Sequence, residues 1–269
     1  MAGRVEGKVA FVTGAARGQG RSHALRLAEE GADIIAVDVC GPIPNLQYPH
    51  ATPEDLEETV RQVEALDRRI VARQADVRDA AAMKAAVDEG VAELGHLDIV
   101  VGNAGICIVA PWDEVTEEVW DDTIDTNLKG VWNTVRLTAP HLIAAGGGSI
   151  ILTSSAAGLK GLPFITPYVA SKFGVTGLTK AFAHELAMHN IRVNSLHPTG
   201  VATDMGQMGA EYPRMLEANP RLAGMLTNSL PVEVTEPRDQ SNAVLFLASD
   251  ESRYVTAMAM TVDAGNTQY

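Results

Sequence analysis

Short apolar runs alternate with longer stretches of helical periodicity along the chain, and this alternation constrains the fold more than any other feature. Continuous apolar runs such as VAFV and IIAV are typical of strands that are buried on both faces. Strands separated by helices are joined by right-handed crossovers, which give a parallel sheet with helices on both faces. The sequence therefore predicts an α/β fold with a seven-stranded parallel sheet. The expected strands are Val9–Thr13, Ile34–Asp38, Ile70–Gln74, Ile99–Val101, Ser149–Thr153, Arg192–Leu196 and Met258–Val262, and the expected helices are Gly18–Glu30, Pro53–Leu66, Ala80–Leu94, Glu117–Ala144, Tyr168–His189 and Pro237–Ser249.

The alternation continues without a linker, a repeat or a charge block, so we expect a single domain over residues 1–269. Two connections are too long to be turns, since strand–helix links usually take about 2–6 residues. We interpret the insertion 40–52 as a cover for a cofactor, and the segment 204–234 as a substrate lid. Packing against a helix would leave the same apolar pattern as a lid. The apolar residues of this segment are Met205, Met208, Met215, Leu216, Leu222, Met225 and Leu226.

The composition argues against several classes of function. The net charge is −13, whereas phosphate binding requires clustered Lys and Arg, so we expect neither nucleic acid nor an anionic membrane as a partner. The acidity is sufficiently explained by solubility. Cys40 and Cys107 lack metal-ligand spacing, so we expect reduced thiols and no metal site. No apolar stretch approaches the ~20 residues that span a bilayer, and we expect a cytoplasmic protein.

A glycine-rich turn, TGAARGQG, stands between the first strand and the first helix. Gly14, Gly18 and Gly20 allow a tight turn and a close backbone approach to a pyrophosphate, and Arg17 and Gln19 lie in the same turn. The helix N-terminus adds N–H donors and a favourable dipole. The spacing departs from G-x-G-x-x-G, but its place in the first strand–helix unit is typical of a dinucleotide-binding Rossmann fold.

Asp38 ends the second strand, eighteen residues after Gly20, and Val39 follows it. A carboxylate at this point in a Rossmann fold accepts hydrogen bonds from the adenosine ribose. It would repel a 2′-phosphate, so the sequence predicts NAD rather than NADP as the cofactor. Arg17 argues weakly in the opposite direction, because a base near the glycines can contact a phosphate. A helix-capping Asp is the structural alternative, but no helix follows immediately.

Two further strand ends are expected to contact the cofactor. Asp76 and Val77 follow the third strand, where a carboxylate suits the adenine amino group and an apolar side chain suits the adenine ring. Asn103, Ala104 and Gly105 follow the fourth strand, where small residues let the backbone approach the cofactor. Each signal is weak alone and gains meaning from its place beside the glycine turn.

Tyr168 and Lys172 lie four residues apart, which places them on one face of a helix. Ser155 follows the fifth strand, and Asn127 lies in the predicted helix before it. Hydride transfer at a carbinol carbon requires proton transfer at the oxygen. A tyrosine can carry that proton if the positive charges of the lysine and a nicotinamide ring lower its pKa. Ser155 would then bind the substrate oxygen, and Asn127 would order a water that links Lys172 to solvent.

Two alternatives apply to these residues. A Tyr–Lys pair at helical spacing is commonly a solvated helix face, although here it accompanies Ser155 and a glycine turn. Ser155 would be a nucleophile if a histidine activated it. That interpretation is disfavoured because no G-x-S-x-G elbow surrounds the serine, and because His184 and His189 lie in an amphipathic helix.

Together these residues resemble the classical short-chain dehydrogenase/reductase family over essentially the whole chain. The matching segments are TGAARGQG, NAG, DTNLKG, ILTSSAAG, YVASK and HPTGVATDM. The resemblance implies that Tyr168 is the acid/base, Lys172 the ribose anchor, Ser155 the substrate-oxygen donor and Asn127 a relay residue. It also places Pro198, Val201 and Thr203 beside the nicotinamide.

The insertion and the HPTGV segment are similar to the carveol dehydrogenase-like subgroup, which is coupled to the redox cofactor mycofactocin. This resemblance implies a tightly held NAD, an external electron acceptor and terpenoid or similar secondary alcohols as substrates. Family analogy also implies a homotetramer formed through the long helices, unless these helices pack only on their own sheet. The alternatives are a carbonyl or 3-ketoacyl reductase, and a nucleotide-sensing regulator without catalysis, which would typically lack the Tyr or the Lys.

Overall fold

A computed structural model describes residues 3–207 and 211–268. Its strands form one sheet in the order β3–β2–β1–β4–β5–β6–β7, and every pairing is parallel. The predicted α/β class and seven-stranded parallel sheet are therefore confirmed. The strands are β1 (Val9–Thr13), β2 (Asp33–Asp38), β3 (Ile70–Gln74), β4 (Ile99–Gly102), β5 (Gly148–Thr153), β6 (Ile191–Pro198) and β7 (Ala259–Val262).

Helices cover both faces of the sheet. On one face, α1 and α8 pack on strand residues such as Ala10 and Ile34; on the other, α3 and α5 pack on their neighbours Phe11 and Ile35. Because alternate strand residues point to opposite faces, both sets must be apolar, which explains the continuous apolar runs. The helices are α1 (Gly18–Glu29), α2 (Pro53–Glu64), α3 (Ala80–Leu94), α4 (Glu117–Ile124), α5 (Gly130–Ala144), α6 (Thr166–Glu185), α7 (Glu211–Ala218) and α8 (Pro237–Ala248).

The long helix predicted over Glu117–Ala144 is interrupted, which corrects the prediction. Between α4 and α5 the chain forms a π-helical segment at Asp125–Lys129. Such segments replace the hydrogen bonds of one α-helical turn with bonds that span five residues, and they occur often at functional sites. Asn127 lies in this segment and is fully buried.

The segment 204–234 is not an irregular loop, because it contains a short α-helix and a 3₁₀ turn. Within it α7 is followed by a 3₁₀ turn at Pro220–Leu226. Its short helix carries Pro213 and is too brief for periodicity to reveal. Met208, which was assigned to the predicted lid, lies outside the described residues.

In the part of the chain that the structure describes, no helix has both the length and the apolarity needed to cross a membrane. Across the same residues, no group of three or more His, Cys, Asp or Glu side chains is arranged to hold a metal ion. Cys40 and Cys107 are both buried free cysteines, and burial raises the pKa of each thiol, to about 12 at Cys40.

Candidate active site

The strand order reverses beside β1, whose two neighbours are β2 and β4. Loops after β1 and β4 then run in opposite directions and leave a crevice at the carboxyl end of the sheet, where such folds bind ligands. Two adjoining cavities occupy this crevice. The glycine-turn cavity is lined by Gly14, Gly18 and Gly20, and the tyrosine cavity by Ser155, Tyr168 and Lys172. The two cavities share Gln19, Asn103, Gly105, Thr203 and Met205.

Gly18 and Gly20 occupy positions in the turn that a residue with a side chain would strain or clash with. Gly18 has a φ of +54°, which L side chains rarely adopt. A Cβ at Gly20 would lie 1.9 Å from the carbonyl oxygen of Gly14. At the start of α1, the N-cap residue Arg17 makes no side-chain hydrogen bond to the helix N–H groups. The turn therefore presents a bare backbone and a helix N-terminus to the cavity, an arrangement suited to a pyrophosphate.

Asp38 lies at the end of β2 on the wall of the glycine-turn cavity, with Val39 beside it. Its carboxylate accepts hydrogen bonds from the N–H groups of Ala16 (3.0 Å) and Cys40 (3.2 Å). Burial raises the pKa of this carboxyl, while these N–H donors and the charge of Arg17 lower it. The carboxylate is thus fixed in orientation at the edge of the cavity.

Asp76 and Val77 also line this cavity, but Asp76 has a partner that the sequence did not predict. Arg78 pairs with Asp76 at 2.7 Å and with Asp122 at 2.9 Å.

Asn103, which follows β4, contacts the start of the glycine turn. Its Nδ2 donates to the carbonyl oxygen of Thr13 at 3.1 Å. The end of β4 is thereby tied to the glycine turn.

The 40–52 insertion forms part of the cavity wall through Ile43, Leu46, Tyr48, His50 and Ala51. It is anchored by Gln47, whose amide exchanges two hydrogen bonds, each 2.9 Å, with the backbone of Val109. Tyr48 accepts a hydrogen bond from the N–H of Cys107 at 3.3 Å. Ile43 and Leu46 also pack on an apolar cluster that contains Ile106.

Arg17, on the wall of the glycine-turn cavity, joins the insertion to the 204–234 segment. Its guanidinium pairs with Asp204 at 2.8 Å and also donates to the carbonyl oxygen of Pro49. Sequence reasoning considered Arg17 only as a phosphate contact, because a pair so distant in the chain leaves no local signal. We call this contact the Arg17 clasp.

A dinucleotide fits the residues present. Besides the glycine cradle, the walls of the two cavities carry buried polar atoms that have no hydrogen-bond partner among the described residues: Gln19 Oε1, Thr126 Oγ1 and Thr153 Oγ1. Buried polar groups are normally satisfied, so these atoms indicate a polar ligand. Pro198, Val201 and Thr203 line the tyrosine cavity at its border with the glycine turn, where the sequence predicted the nicotinamide.

Tyr168 and Lys172 lie on one face of α6, as their spacing predicted. The ammonium of Lys172 donates to the carbonyl oxygen of Thr153 at 2.7 Å and lies 5.4 Å from the centre of the Tyr168 ring. Burial lowers the pKa of Lys172 to about 8. Burial raises the pKa of Tyr168, opposed by a hydrogen bond with Ser155. The predicted decrease in the tyrosine pKa is therefore not found in the protein alone, because desolvation outweighs the hydrogen bond with Ser155.

Ser155 lies two residues beyond the end of β5, which ends at Thr153 as predicted. Its backbone is extended, and its Oγ accepts a hydrogen bond from the N–H of Ala157 at 3.1 Å. The histidine beside it, His197, contacts the backbone carbonyl of Ser155 at 2.8 Å rather than its Oγ. A Ser–His nucleophile is therefore not assembled here, and Ser155 is placed to bind an oxygen beside Tyr168.

Asn127 contacts the loop that follows β4. Its Oδ1 accepts from the N–H of Ile106, and its Nδ2 donates to the carbonyl of the same residue, both at 2.8 Å. A Cβ at Gly105 would lie 3.2 Å from Asn127 Oδ1 and 3.5 Å from Lys172 Nζ. The amide therefore fixes the loop after β4 against Lys172, a structural task that the sequence did not predict.

The tyrosine cavity has a volume of about 600 Å³, within the range that holds a small organic ligand. Of the predicted lid residues, Met205, Leu216 and Leu226 line it, together with Leu162 and Ile165. Met215 packs in a cluster with Ile165, whereas Met225 is exposed. Tyr212, which sequence reasoning missed, holds α7 at this cavity by donating to the carbonyl oxygen of Pro163 at 2.9 Å.

Comparison with known proteins agrees with this geometry. A family model described as short chain dehydrogenase matches residues 8–212. The chain belongs to the short-chain dehydrogenase/reductase family. It is 50% identical to (−)-trans-carveol dehydrogenase from Rhodococcus erythropolis, over 98% of this chain and 99% of that protein. It is also 37% identical to a 3-oxoacyl-[acyl-carrier-protein] reductase from Thermotoga maritima, over 97% of this chain and 98% of that one.

Two solved structures with bound NAD have nearly the same fold. A short-chain dehydrogenase from Mycobacterium paratuberculosis superposes with a TM-score of 0.98 at 55% identity, covering 99% of this chain and 100% of that chain. A carveol dehydrogenase from Mycobacterium avium superposes with a TM-score of 0.93 at 54% identity and the same coverage. The predicted family, an NAD-dependent oxidoreductase of the short-chain type, is confirmed.

The buried charge of Lys172 leads to a prediction about stability. A lysine whose pKa falls from 10.5 to about 8 on folding destabilises the protein wherever it is protonated, because the unfolded chain holds that proton more tightly. We expect Lys172→Met to abolish turnover yet raise the free energy of unfolding at pH 7 by about 1–3 kcal/mol. The difference in free energy of unfolding between Lys172→Met and wild type should decrease as the pH rises from 8 towards 10.5, because the wild-type lysine then loses its charge on folding.

Urea unfolding of the cofactor-free protein, followed by circular dichroism at several pH values, measures this difference. Lys180→Met, on the exposed side of the same helix, is the matched control and should leave the stability nearly unchanged. A Lys172→Met variant less stable than wild type at every pH would contradict the prediction.

Proposed function

We propose that this protein is an NAD-dependent dehydrogenase of apolar secondary alcohols, such as carveol-like terpenoids. The observation that carries the proposal is the convergence of Ser155, Tyr168 and Lys172 at the border between the glycine-turn cavity and an apolar cavity. An alcohol bound there would place its oxygen between Ser155 and Tyr168 and its hydrocarbon part among the leucines and Met205.

In this mechanism bound NAD supplies the hydride acceptor. Ser155 donates a hydrogen bond to the substrate oxygen and holds it in place. Tyr168, as the phenolate, accepts the hydroxyl proton while the carbinol carbon loses its hydride, so the alcohol becomes a ketone and Tyr168 becomes the phenol. Because burial raises the pKa of Tyr168, the phenolate depends on positive charge beside it. The ammonium of Lys172 has three donors, of which one binds Thr153, leaving two for the ribose hydroxyls.

The proton on Tyr168 must then leave the site. We assign this path to Lys172 and the neighbouring Asn127. Since the side-chain amide of Asn127 is already bonded to Ile106, it contributes by fixing the loop along which a water chain would run.

Asp38 underlies the choice of cofactor. It lies at the end of β2 with its carboxylate held by two backbone N–H groups, and it is 7% exposed. A ribose bound there can donate hydroxyls to it, whereas the 2′-phosphate of NADP would meet its charge. Arg17 does not offset this repulsion, because its guanidinium is engaged by Asp204 and Pro49.

Two other functions are the alternatives to alcohol oxidation. A 3-ketoacyl or other carbonyl reductase would use the same residues in reverse, and the relative from Thermotoga maritima supports that reading. A non-catalytic nucleotide sensor is the second alternative, but it gives no reason to keep Ser155, Tyr168 and Lys172 together. The alcohol reading rests on Asp38 and on the higher identity to the Rhodococcus carveol dehydrogenase.

We further propose that NAD is retained between turnovers and reoxidised in place by an external redox cofactor, for which mycofactocin is the candidate. The 40–52 insertion and the Arg17 clasp support this reading, because both line the glycine-turn cavity and the clasp joins the insertion to the 204–234 segment. In the same proposal 204–234 serves as the substrate lid of one catalytic domain, with Met208 outside the described residues.

We also propose a cytoplasmic homotetramer. Large apolar side chains lie exposed on three consecutive helices: Trp120 on α4 is 44% exposed, Trp132 on α5 is 43% and Phe173 on α6 is 46%. Burying such a face against a second copy would stabilise an oligomer. Light scattering tests this, since a monomer in solution would contradict it.

Replacing Tyr168 tests the catalytic assignment. We expect Tyr168→Phe to lower kcat for a secondary alcohol such as carveol by about 10²- to 10⁴-fold, because the proton acceptor is lost while the ring remains. The NAD content should be unchanged. Tyr254→Phe removes a tyrosine hydroxyl that is exposed and lines neither cavity, so it is the matched control and should keep the activity. Steady-state oxidation rates decide the matter, and near-normal turnover of Tyr168→Phe would refute the assignment.

The Arg17 clasp predicts slow release of NAD. We expect Arg17→Leu and Asp204→Asn each to speed NAD dissociation by about fivefold to tenfold, because each breaks the ion pair between the glycine turn and the 204–234 segment. Stopped-flow displacement of bound nucleotide measures the rate. Arg61→Leu, which removes an exposed ion pair on α2, is the control. An effect of Arg17→Leu without one of Asp204→Asn would instead indicate direct contact of Arg17 with the nucleotide.

A further inference from the structure

The hydrogen bonds between β5 and β6 stop at the point where the chain reaches Ser155. Thr153 is paired with Leu196, and the N–H of Ser154 donates to the Leu196 carbonyl at 2.8 Å. In a parallel ladder the next bond would run from the N–H of residue 198 to the Ser154 carbonyl. Residue 198 is a proline, which has no N–H. The backbone ladder therefore cannot extend to the serine.

The side chain of His197 makes the connection that the backbone cannot. It is fully buried at the end of β6, and its Nδ1 lies 2.8 Å from the carbonyl oxygen of Ser155. Its Nε2 lies 2.8 Å from the hydroxyl of Ser195 on the same strand. The other donor to the Ser155 carbonyl is local, from the N–H of Gly158 at 2.9 Å. His197 is thus the long-range contact that fixes the backbone of Ser155.

The partners of His197 determine its tautomer. A backbone carbonyl only accepts hydrogen bonds, so Nδ1 must carry the hydrogen. Nε2 is then an acceptor and receives the hydroxyl hydrogen of Ser195. Burial lowers the pKa of His197, and the neighbouring charge of Lys172 lowers it further, while the hydrogen bond to the Ser155 carbonyl and the charge of Asp263 oppose the shift without reversing it. A neutral ring with both nitrogens engaged is the state that these surroundings favour.

We propose that His197 is a positioning residue for the reaction: it anchors the Ser155 carbonyl to β6 and so holds the Ser155 hydroxyl in register with Tyr168. The proposal rests on the proposed function, in which Ser155 binds the substrate oxygen. His197 does not touch the substrate in this account and acts only through Ser155.

Two substitutions of His197 distinguish the contribution of its hydrogen bond from the contribution of its ring volume. His197→Asn keeps a donor nitrogen at nearly the same place as Nδ1, whereas His197→Leu keeps apolar volume and loses the donor. Since one hydrogen bond between neutral groups is worth a factor of about 2–10 in an equilibrium, we expect His197→Leu to lower kcat about tenfold and His197→Asn to stay within about threefold of wild type.

Two readouts distinguish positioning from a general structural role. With an alcohol deuterated at the carbinol carbon, the isotope effect on kcat should increase in His197→Leu, because misplacing the substrate oxygen slows the hydride step itself. The NAD content of that variant should match that of wild type, and kcat should be compared at a temperature where both proteins are folded. Equal losses of kcat in both variants, or a His197→Leu protein that has lost NAD, would overturn the proposal.

A measurement independent of turnover keeps the proposal separate from the proposed function. In protein labelled with ¹⁵N-histidine, His197 is identified as the signal missing from His197→Asn. Its nitrogen shifts should report a neutral ring protonated at Nδ1. A ring protonated only at Nε2 would refute the contact with Ser155, because Nδ1 would then have no hydrogen to donate. If instead no alcohol is oxidised by the wild type while the Nδ1 tautomer is found, the proposed function fails and the assigned hydrogen bond stands.

Discussion

A single buried ammonium organises the catalytic end of this protein. Lys172 is 2% exposed, and burying its positive charge costs free energy. The surrounding structure must therefore supply oxygen acceptors for the ammonium and leave space for it. Three elements meet that requirement: α6 provides the side chain, the end of β5 provides the Thr153 carbonyl, and the loop after β4 passes at Gly105, which has no side chain. Asn127 fixes that loop from its π-helical segment. The site is therefore arranged around a charge that lowers stability and supports the tyrosine phenolate.

The fold and the main site residues could be predicted from the sequence because their signals are local. Strands buried on both faces leave continuous apolar runs, as in β1 and β2, and the four-residue spacing of Tyr168 and Lys172 implies a shared helix face. The glycine turn follows β1 directly, so its place in the fold was fixed once β1 was recognised. The family resemblance added the expected roles of Ser155 and Asn127, which spacing alone does not assign.

The features that escaped prediction depend on contacts between distant parts of the chain. The Arg17 clasp joins residues 17 and 204, and the contact of His197 with Ser155 spans two strands. Residues 117–129 contain neither proline nor glycine, so no helix-breaking residue marks the π-helical segment at Asp125–Lys129 in the sequence. The increase in the pKa of Tyr168 follows from desolvation, which depends on packing rather than on the residues adjacent in sequence.

The central claim, that a secondary alcohol gives its hydride to NAD in this site, is tested most directly by following the hydrogen atom. The purified protein would be incubated with a secondary alcohol that carries deuterium only at the carbinol carbon, then denatured, and the released nucleotide would be identified by mass spectrometry. The account predicts reduced NAD that contains a single deuterium. Nucleotide that is reduced without deuterium, or a site that contains only NADP, would contradict it.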